Sequence, residues 1–175
     1  MMRLQKFRLD KLMLAKILII ISLIVIDIAT KVFFAQYFAS GKENIEILWG
    51  LITFTYVENT GAAFGSFASG TIILTIVSFV FATLWIVMDI YSQKQTRIYV
   101  YSFTLIVAGA IGNLIDRLFL GYVRDFIKFS MFGFVCNIAD ICITLGVILY
   151  AVYILLDMFK ERNKDKVNDE RNTKG

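Results

Sequence analysis

The chain predicts an all-α membrane protein with four transmembrane helices and a small extracytoplasmic β-sheet between helices 1 and 2. Three observations carry this reading. The 175 residues are 58% hydrophobic with a mean hydropathy of +0.72, whereas soluble domains run roughly 45–50% apolar. Apolar stretches of the ~20 residues needed to cross a bilayer recur four times. Between the first two lies a β-branched and aromatic segment, Trp49-Gly-Leu-Ile-Thr-Phe-Thr-Tyr-Val57, with the composition of a strand.

The first span covers 17–38. Basic residues followed by the run 17–26 resemble a signal peptide. The apolar stretch continues through Val32-Phe-Phe34 without an Ala-x-Ala-like site, so a retained helix is expected. Residues 39–69 form the longest non-spanning segment, where the strand at 49–57 leads into a turn at Glu58-Asn-Thr-Gly61. A short sheet on the membrane surface, with aromatics at the interface, fits this composition. The second span covers 71–91, the polar link 92–97, the third span 98–118, a shorter non-spanning segment 119–136, and the fourth span 138–159. Residues 1–159 are expected to form a single membrane domain. The charged tail, 160–175, lacks the apolar content to bury a core and is expected to be disordered.

Lys and Arg concentrate at the N-terminus, in the 92–97 link and in the tail, while 39–69 has Lys42 against Glu43, Glu46 and Glu58. The positive-inside rule then places both termini in the cytoplasm and both longer loops outside. The basic ends are read as this topology signal in preference to nucleic-acid or anionic-lipid binding. The absence of histidine removes a Ser-His-Asp triad, a His-Glu-x-x-His zinc site and a haem histidine. Cys136 and Cys142 match no metal or redox spacing and read as small apolar residues. No metal or cofactor is expected.

Polar residues inside the spans are costly and therefore informative. Asp27 and Lys31 are four apart and share a helix face, either as a neutralised pair or at the mouth of a site, with Lys31 also able to snorkel to headgroups. Asn113, Asp116 and Arg117 form a polar stripe below Gly109 and Gly112, which admit close backbone approach. Asp116 and Arg117 suit each other as a pair, and Asp116 suits a supporting role. Asn137 and Asp140 share a face at the start of the fourth span. Two readings fit Asp140, a helix cap or chemistry. Two also fit Asp125: an interfacial ion pair with Arg124 or Lys128, or chemistry. Spans three and four are consecutive and antiparallel, so Asp125 and Asp140 converge at the outer membrane face. Two carboxylates there suggest an aspartyl pair sharing one proton. Asp89 and Asp157, at cytoplasmic ends, are expected to be solvated or at headgroup level.

Five segments together resemble the lipoprotein signal peptidases, the signal peptidase II group of aspartic peptidases (family A8). They are Asp27-Ile-Ala-Thr-Lys31, Asn59-Thr-Gly-Ala-Ala-Phe-Gly65, Gly109-Ala-Ile-Gly-Asn-Leu-Ile-Asp-Arg117, Val123-Arg-Asp-Phe126 and Asn137-Ile-Ala-Asp140, in the family's order. The resemblance implies a four-helix membrane enzyme with a β-cradle, cleaving bacterial prolipoproteins just before the diacylglyceryl-modified cysteine. Its catalytic dyad carries over to Asp125 and Asp140, and its substrate-site support to Asp27, Lys31, Asn59, Gly61, Asn113, Asp116, Arg117 and Asn137. Implied partners are the prolipoprotein and membrane lipid, with the chain a monomer in the bacterial inner membrane. The chain departs from the family at Arg124 and Cys136, and in a shorter stretch between the two dyad aspartates. The alternative from another class is a small proton-coupled transporter relaying protons through its intramembrane aspartates.

Overall fold

The computed structural model describes residues 11–61, 67–92, 96–131 and 133–172. The basic residues Arg3, Lys6 and Arg8, and Ala62 to Gly65 of the second motif, lie outside them. The helices are α1 (Lys11–Ala39), α2 (Phe67–Tyr91), α3 (Arg97–Leu120) and α4 (Ile138–Asn172). All four are long and apolar enough to cross a membrane. A helix suits this setting because it satisfies its backbone hydrogen bonds internally.

The bundle is organised around α3. Inside the structure 67% of its apolar central stretch is buried, against 11%, 6% and 17% for the corresponding stretches of α1, α2 and α4. Small residues allow this. A Cβ on Gly109 would strike the Ala139 carbonyl oxygen, and one on Gly112 would lie 2.7 Å from Asp27 Oδ2 and 3.3 Å from Ala139 Cβ. The C-terminal turns of α3 therefore touch both α1 and α4, which is why polar side chains from three helices meet there. Thr96 caps α3 by accepting from Tyr99 N at 3.3 Å, and Gly121 ends it with φ 81.

The sheet has four antiparallel strands in the order β1 (Ile45–Ile47), β2 (Ile52–Asn59), β3 (Val123–Phe129), β4 (Val135–Cys136). The expected sheet between helices 1 and 2 is present, and 119–136 supplies its other half. Glu58 and Asn59, expected in a turn, instead complete β2 against Arg124 and Val123. Phe126, Ile127 and Cys136 form the sheet's buried core, with Phe34 of α1 and Ile138 and Ile141 of α4 packed against it. Phe34 stacks on Phe54 and Phe126 at centroid distances of 4.8 and 4.5 Å.

Two expectations are corrected. The tail is not disordered as far as Asn172, because α4 continues to that residue. Its Glu, Lys and Arg are good helix formers and no proline or glycine interrupts them. Asp89 is not a free solvated carboxylate: half-buried, it pairs with Lys16, whose Nζ lies 2.7 Å from Oδ1 and 2.9 Å from Oδ2. Pairing where α1, α2 and α3 meet neutralises both charges, and Phe103 offers its ring to Lys16 at 5.1 Å.

Candidate active site

Each polar group of the site is placed by a local structural reason. Asn137 is the N-cap of α4. Its Oδ1 accepts the Asp140 N–H at 3.0 Å while its own N–H donates to Asp140 Oδ2 at 3.3 Å, a reciprocal capping box. Asp140 is thus a cap, and its Oδ1 also accepts from Asn113 Nδ2 at 2.7 Å. Asp125 comes from β3 and is 2% exposed. Its Oδ1 accepts from Asn137 Nδ2 at 2.6 Å and its Oδ2 from Asn59 Nδ2 at 2.9 Å. It pairs with neither Arg124 nor Lys128.

Asn59 reaches Asp125 because of a backbone irregularity. On β2, Phe54 and Val57 are three apart, while their β3 partners Ile127 and Asp125 are two apart. This β-bulge shifts the alternation by one residue, so Asn59 joins the face of Val57 and Asp125. Gly61 then fixes the amide's orientation. Its N–H donates to Asn59 Oδ1 at 3.0 Å, which directs Nδ2 to the carboxylate, and the turn uses φ 71, open to glycine.

Beneath these lies a buried ionic cluster. Lys31 is fully buried and does not snorkel. Its Nζ is 2.7 Å from Asp27 Oδ2, 3.6 Å from Asp116 Oδ2 and 2.9 Å from Asn113 Oδ1. The last contact turns the Asn113 amide so that Nδ2 faces Asp140. Asp27 Oδ1 accepts the Ala139 N–H at 2.8 Å, so an α1 carboxylate satisfies an orphan donor in the first turn of α4. Asp116 and Arg117 do not pair with each other. Asp116 accepts from Arg124 N, Nε and Nη2 at 3.0, 3.2 and 2.6 Å, and Arg117 Nη1 donates to Ser78 Oγ at 3.2 Å.

Burial pushes the Asp125 carboxyl up from 3.8 to about 6, the nearby Asp140 adding to this and the Asn59 and Asn137 amides opposing it. Burial, with both aspartates close by, holds the Cys136 thiol up at about 12, so it is inert. Cys142 is likewise buried and free. Asp140, Asn113, Arg117 and Ser78 line a cavity of about 220 Å³ between α2, α3 and α4. Arg117 also borders a mostly apolar groove of about 490 Å³ beside Thr60, Ile72, Ile76 and Leu118.

All ten residues singled out in the sequence fall in this region. Ser78 was missed, although a lone serine inside an apolar span is a usable signal. Arg124, offered by the sequence as an ion partner for Asp125, pairs instead with Asp116, and that partnership depends on the fold of β3.

These features define a class: a polytopic membrane protein whose buried carboxylates gather at one end of its helix bundle. Residues 19–156 match the sequence model of the family described as Signal peptidase (SPase) II, and the chain belongs to that family. The Clostridium novyi (strain NT) lipoprotein signal peptidase is 38% identical over 135 residues, covering 75% of this chain and 90% of its own length. That of Clostridium acetobutylicum is 36% identical over 127 residues, covering 70% and 80%. A solved structure described as "Bacterial membrane enzyme structure by the in meso method at 2.3 A resolution" is 30% identical with a TM-score of 0.71, covering 82% of this chain and 89% of that one. The chain is therefore an aspartic peptidase and a multi-pass protein of the bacterial inner membrane. Membership favours the peptidase over the transporter reading.

Proposed function

We propose that this chain removes the signal peptide from bacterial prolipoproteins, cutting just before the diacylglyceryl-modified cysteine, with Asp125 and Asp140 as the catalytic pair. The observation that carries the proposal is the bridge between the two aspartates. One side chain, Asn137, donates to Asp125 and accepts from the backbone of Asp140, while separate amides from Asn59 and Asn113 hold each outer flank.

Amide hydrolysis here needs a base for water and an acid for the leaving nitrogen. Two carboxylates sharing one proton supply both, and the proton belongs to the pair. The ionised member takes a proton from water as its oxygen attacks the scissile carbonyl carbon. The protonated member then gives its proton to the nitrogen as the C–N bond breaks. Arg117, facing the same cavity as Asp140, is placed to stabilise the developing oxyanion. Asp27, Lys31 and Asp116 hold Asn113 and the start of α4, and Gly61 holds Asn59.

The substrate's apolar signal segment and acyl chains keep its scissile bond at the membrane interface, each buried methylene contributing ~0.8 kcal/mol. The groove beside Arg117 offers an apolar lining for an acyl chain. In this reading both termini are cytoplasmic, the sheet and site face outward, residues 1–159 form the peptidase domain, 160–175 the tail, and one chain suffices.

The test is a mass-spectrometric cleavage assay on a diacylglyceryl prolipoprotein with the purified protein in lipid. Asp125→Asn and Asp140→Asn should each abolish cleavage while the protein stays folded. Near wild-type turnover by either variant would overturn the pair. Unlipidated substrate should be cut far more slowly, and equal rates would remove the lipid from the reading.

A further inference from the structure

The β1–β2 turn combines backbone strain with exposed apolar area. It closes beyond the Ile47↔Ile52 pair, with Gly50 N–H donating to Ile47 O at 3.2 Å and Leu51 N–H to Leu48 O at 3.1 Å. Leu48, Trp49 and Gly50 take φ of 51, 56 and 80 in succession. Tight hairpin turns favour Asn or Gly at such positions, because an L-side chain's Cβ crowds the backbone oxygen there. A leucine and a tryptophan occupy them here, and Trp49 is 98% exposed. Nothing among the described residues packs over that indole.

The turn is not isolated. Ser130, opening the β3–β4 turn, donates its N–H to Leu51 O at 3.0 Å and its hydroxyl to Gly50 O. The two turns are thus fastened together and jointly present Ile47, Leu48, Trp49, Leu51, Met131 and Phe134, all exposed. One rank behind, Glu46 and Lys128 flank Thr53 on either side, so an apolar tip gives way to a charged rank. The apolar surface is also continuous with the spanning helices. Phe134 lies 6.3 Å from Phe129, which packs on the cluster holding Phe34 of α1 and Ile138 and Ile141 of α4. Phe129 stands four residues along β3 from Asp125, about 13 Å, so the tip points away from the proteolytic site.

We propose that these paired turns anchor the sheet in the bilayer, with Trp49 seated at the headgroup and upper acyl level of the leaflet beside the sheet. The sheet emerges from one end of the four-helix bundle, where that leaflet is the adjacent apolar medium, and an indole is suited to such an interface. Placing Trp49 and Leu48 in lipid gives a reason for holding bulky side chains in strained, outward-facing conformations. The inference does not depend on the proteolytic reading.

Trp49 and Trp85 are the only tryptophans, so Trp85→Phe makes Trp49 the sole indole reporter. The full chain carrying that substitution is reconstituted in phosphatidylcholine–phosphatidylglycerol vesicles, with some lipids brominated either high or low on the acyl chain. The expected result is a blue-shifted emission, weak acrylamide quenching, and stronger loss of intensity with bromine placed high than placed low. Water-like emission with full acrylamide quenching and no effect of brominated lipid would overturn the anchor. So would a blue shift that ignores brominated lipid and appears only at high protein-to-lipid ratio, since that indicates contact between copies. If Trp85→Phe fails to fold, the difference between wild type and Trp49→Phe reports the same indole and is judged identically.

Discussion

Lys31→Met tests the ionic cluster that supports the site. Lys31 has no exposed surface, and its ammonium faces Asp27 at 2.7 Å, Asn113 at 2.9 Å and Asp116 at 3.6 Å. Methionine matches its shape and removes its charge. Asp116 keeps Arg124, but the Asp27 carboxylate, 2% exposed, loses the only cation among the described residues paired with it. Removing one partner of a buried ion pair costs about 3–5 kcal/mol, and the Asn113 oxygen left without a donor adds about 1–3 kcal/mol. At roughly 2–4 °C per kcal/mol for a chain of this size, the melting temperature in detergent should fall by about 10 °C or more. Asp27→Asn in the Lys31→Met background removes the stranded charge and leaves an oxygen for the Ala139 N–H. That double variant should recover at least about 2 kcal/mol, a coupling ordinary for contacting residues. The assay is thermal unfolding of purified variants followed by tryptophan fluorescence. A loss below about 1 kcal/mol for Lys31→Met, or a double variant no more stable than the single, would refute the reasoning.

The raised Asp125 carboxyl has a definite sign: the folded state binds its proton more tightly than the unfolded chain. The contribution of this one group to stability should be fully present below the ordinary value of 3.8, be lost as pH rises and be gone above about 6, a change of about 3 kcal/mol. Denaturant titrations of wild type and Asp125→Asn across that window should show this component only in wild type. Gly112→Ala places a methyl 2.7 Å from Asp27 Oδ2 and should cost about 1–3 kcal/mol in the same melt, whereas Gly121→Ala meets no neighbour but is disfavoured by its φ of 81. Arg124→Leu should destabilise the protein by a few kcal/mol, since Asp116 has no exposed surface and keeps only Lys31. In the proteolysis assay it should also shift the pH–rate profile upward, an effect that lysine at the same position should largely restore. Cys136 and Cys142 should resist a maleimide at neutral pH in the folded protein and label fully once it is denatured. Rapid labelling of the native state would contradict their burial.

Long-range hydropathy and short helical spacings made much of this molecule legible. The four spans follow from apolar run length, and Asp27–Lys31 and Asn137–Asp140 follow from three- and four-residue spacing, because a helix converts that separation into contact. Partner choice across elements was less legible. Asp116 and Arg117 share a stripe, yet they separate to Arg124 on β3 and Ser78 on α2, and no local pattern encodes that. The strands at 123–129 and 135–136 were hidden because they are short and contribute to a sheet begun more than sixty residues earlier. Asn59 was identified by its motif, but the bulge that turns it toward Asp125 leaves no trace in strict alternation. Lys16 looked like one more residue of a basic end until the fold set Asp89 beside it.

The charge around the site links the departure at Arg124 to the aspartyl-pair reading. Among the described residues, the cluster that joins Lys31, Arg117 and Arg124 to the aspartates holds Asp27, Asp116, Asp125 and Asp140. Three fixed cations face four carboxylates, so the cluster is neutral when one proton resides on the Asp125–Asp140 pair. A buried region disfavours any net charge, so neutrality there favours the singly protonated pair that acid–base hydrolysis requires. Arg124 takes part through Asp116. By satisfying that carboxylate at three points, it leaves Lys31 free to hold Asp27 and to orient Asn113 toward Asp140. With an aliphatic residue at 124, Lys31 would have to serve two carboxylates at once. In the aspartyl-pair reading, Arg124 thus acts on the same proton as Lys31 and Asn113, from the opposite side of Asp116.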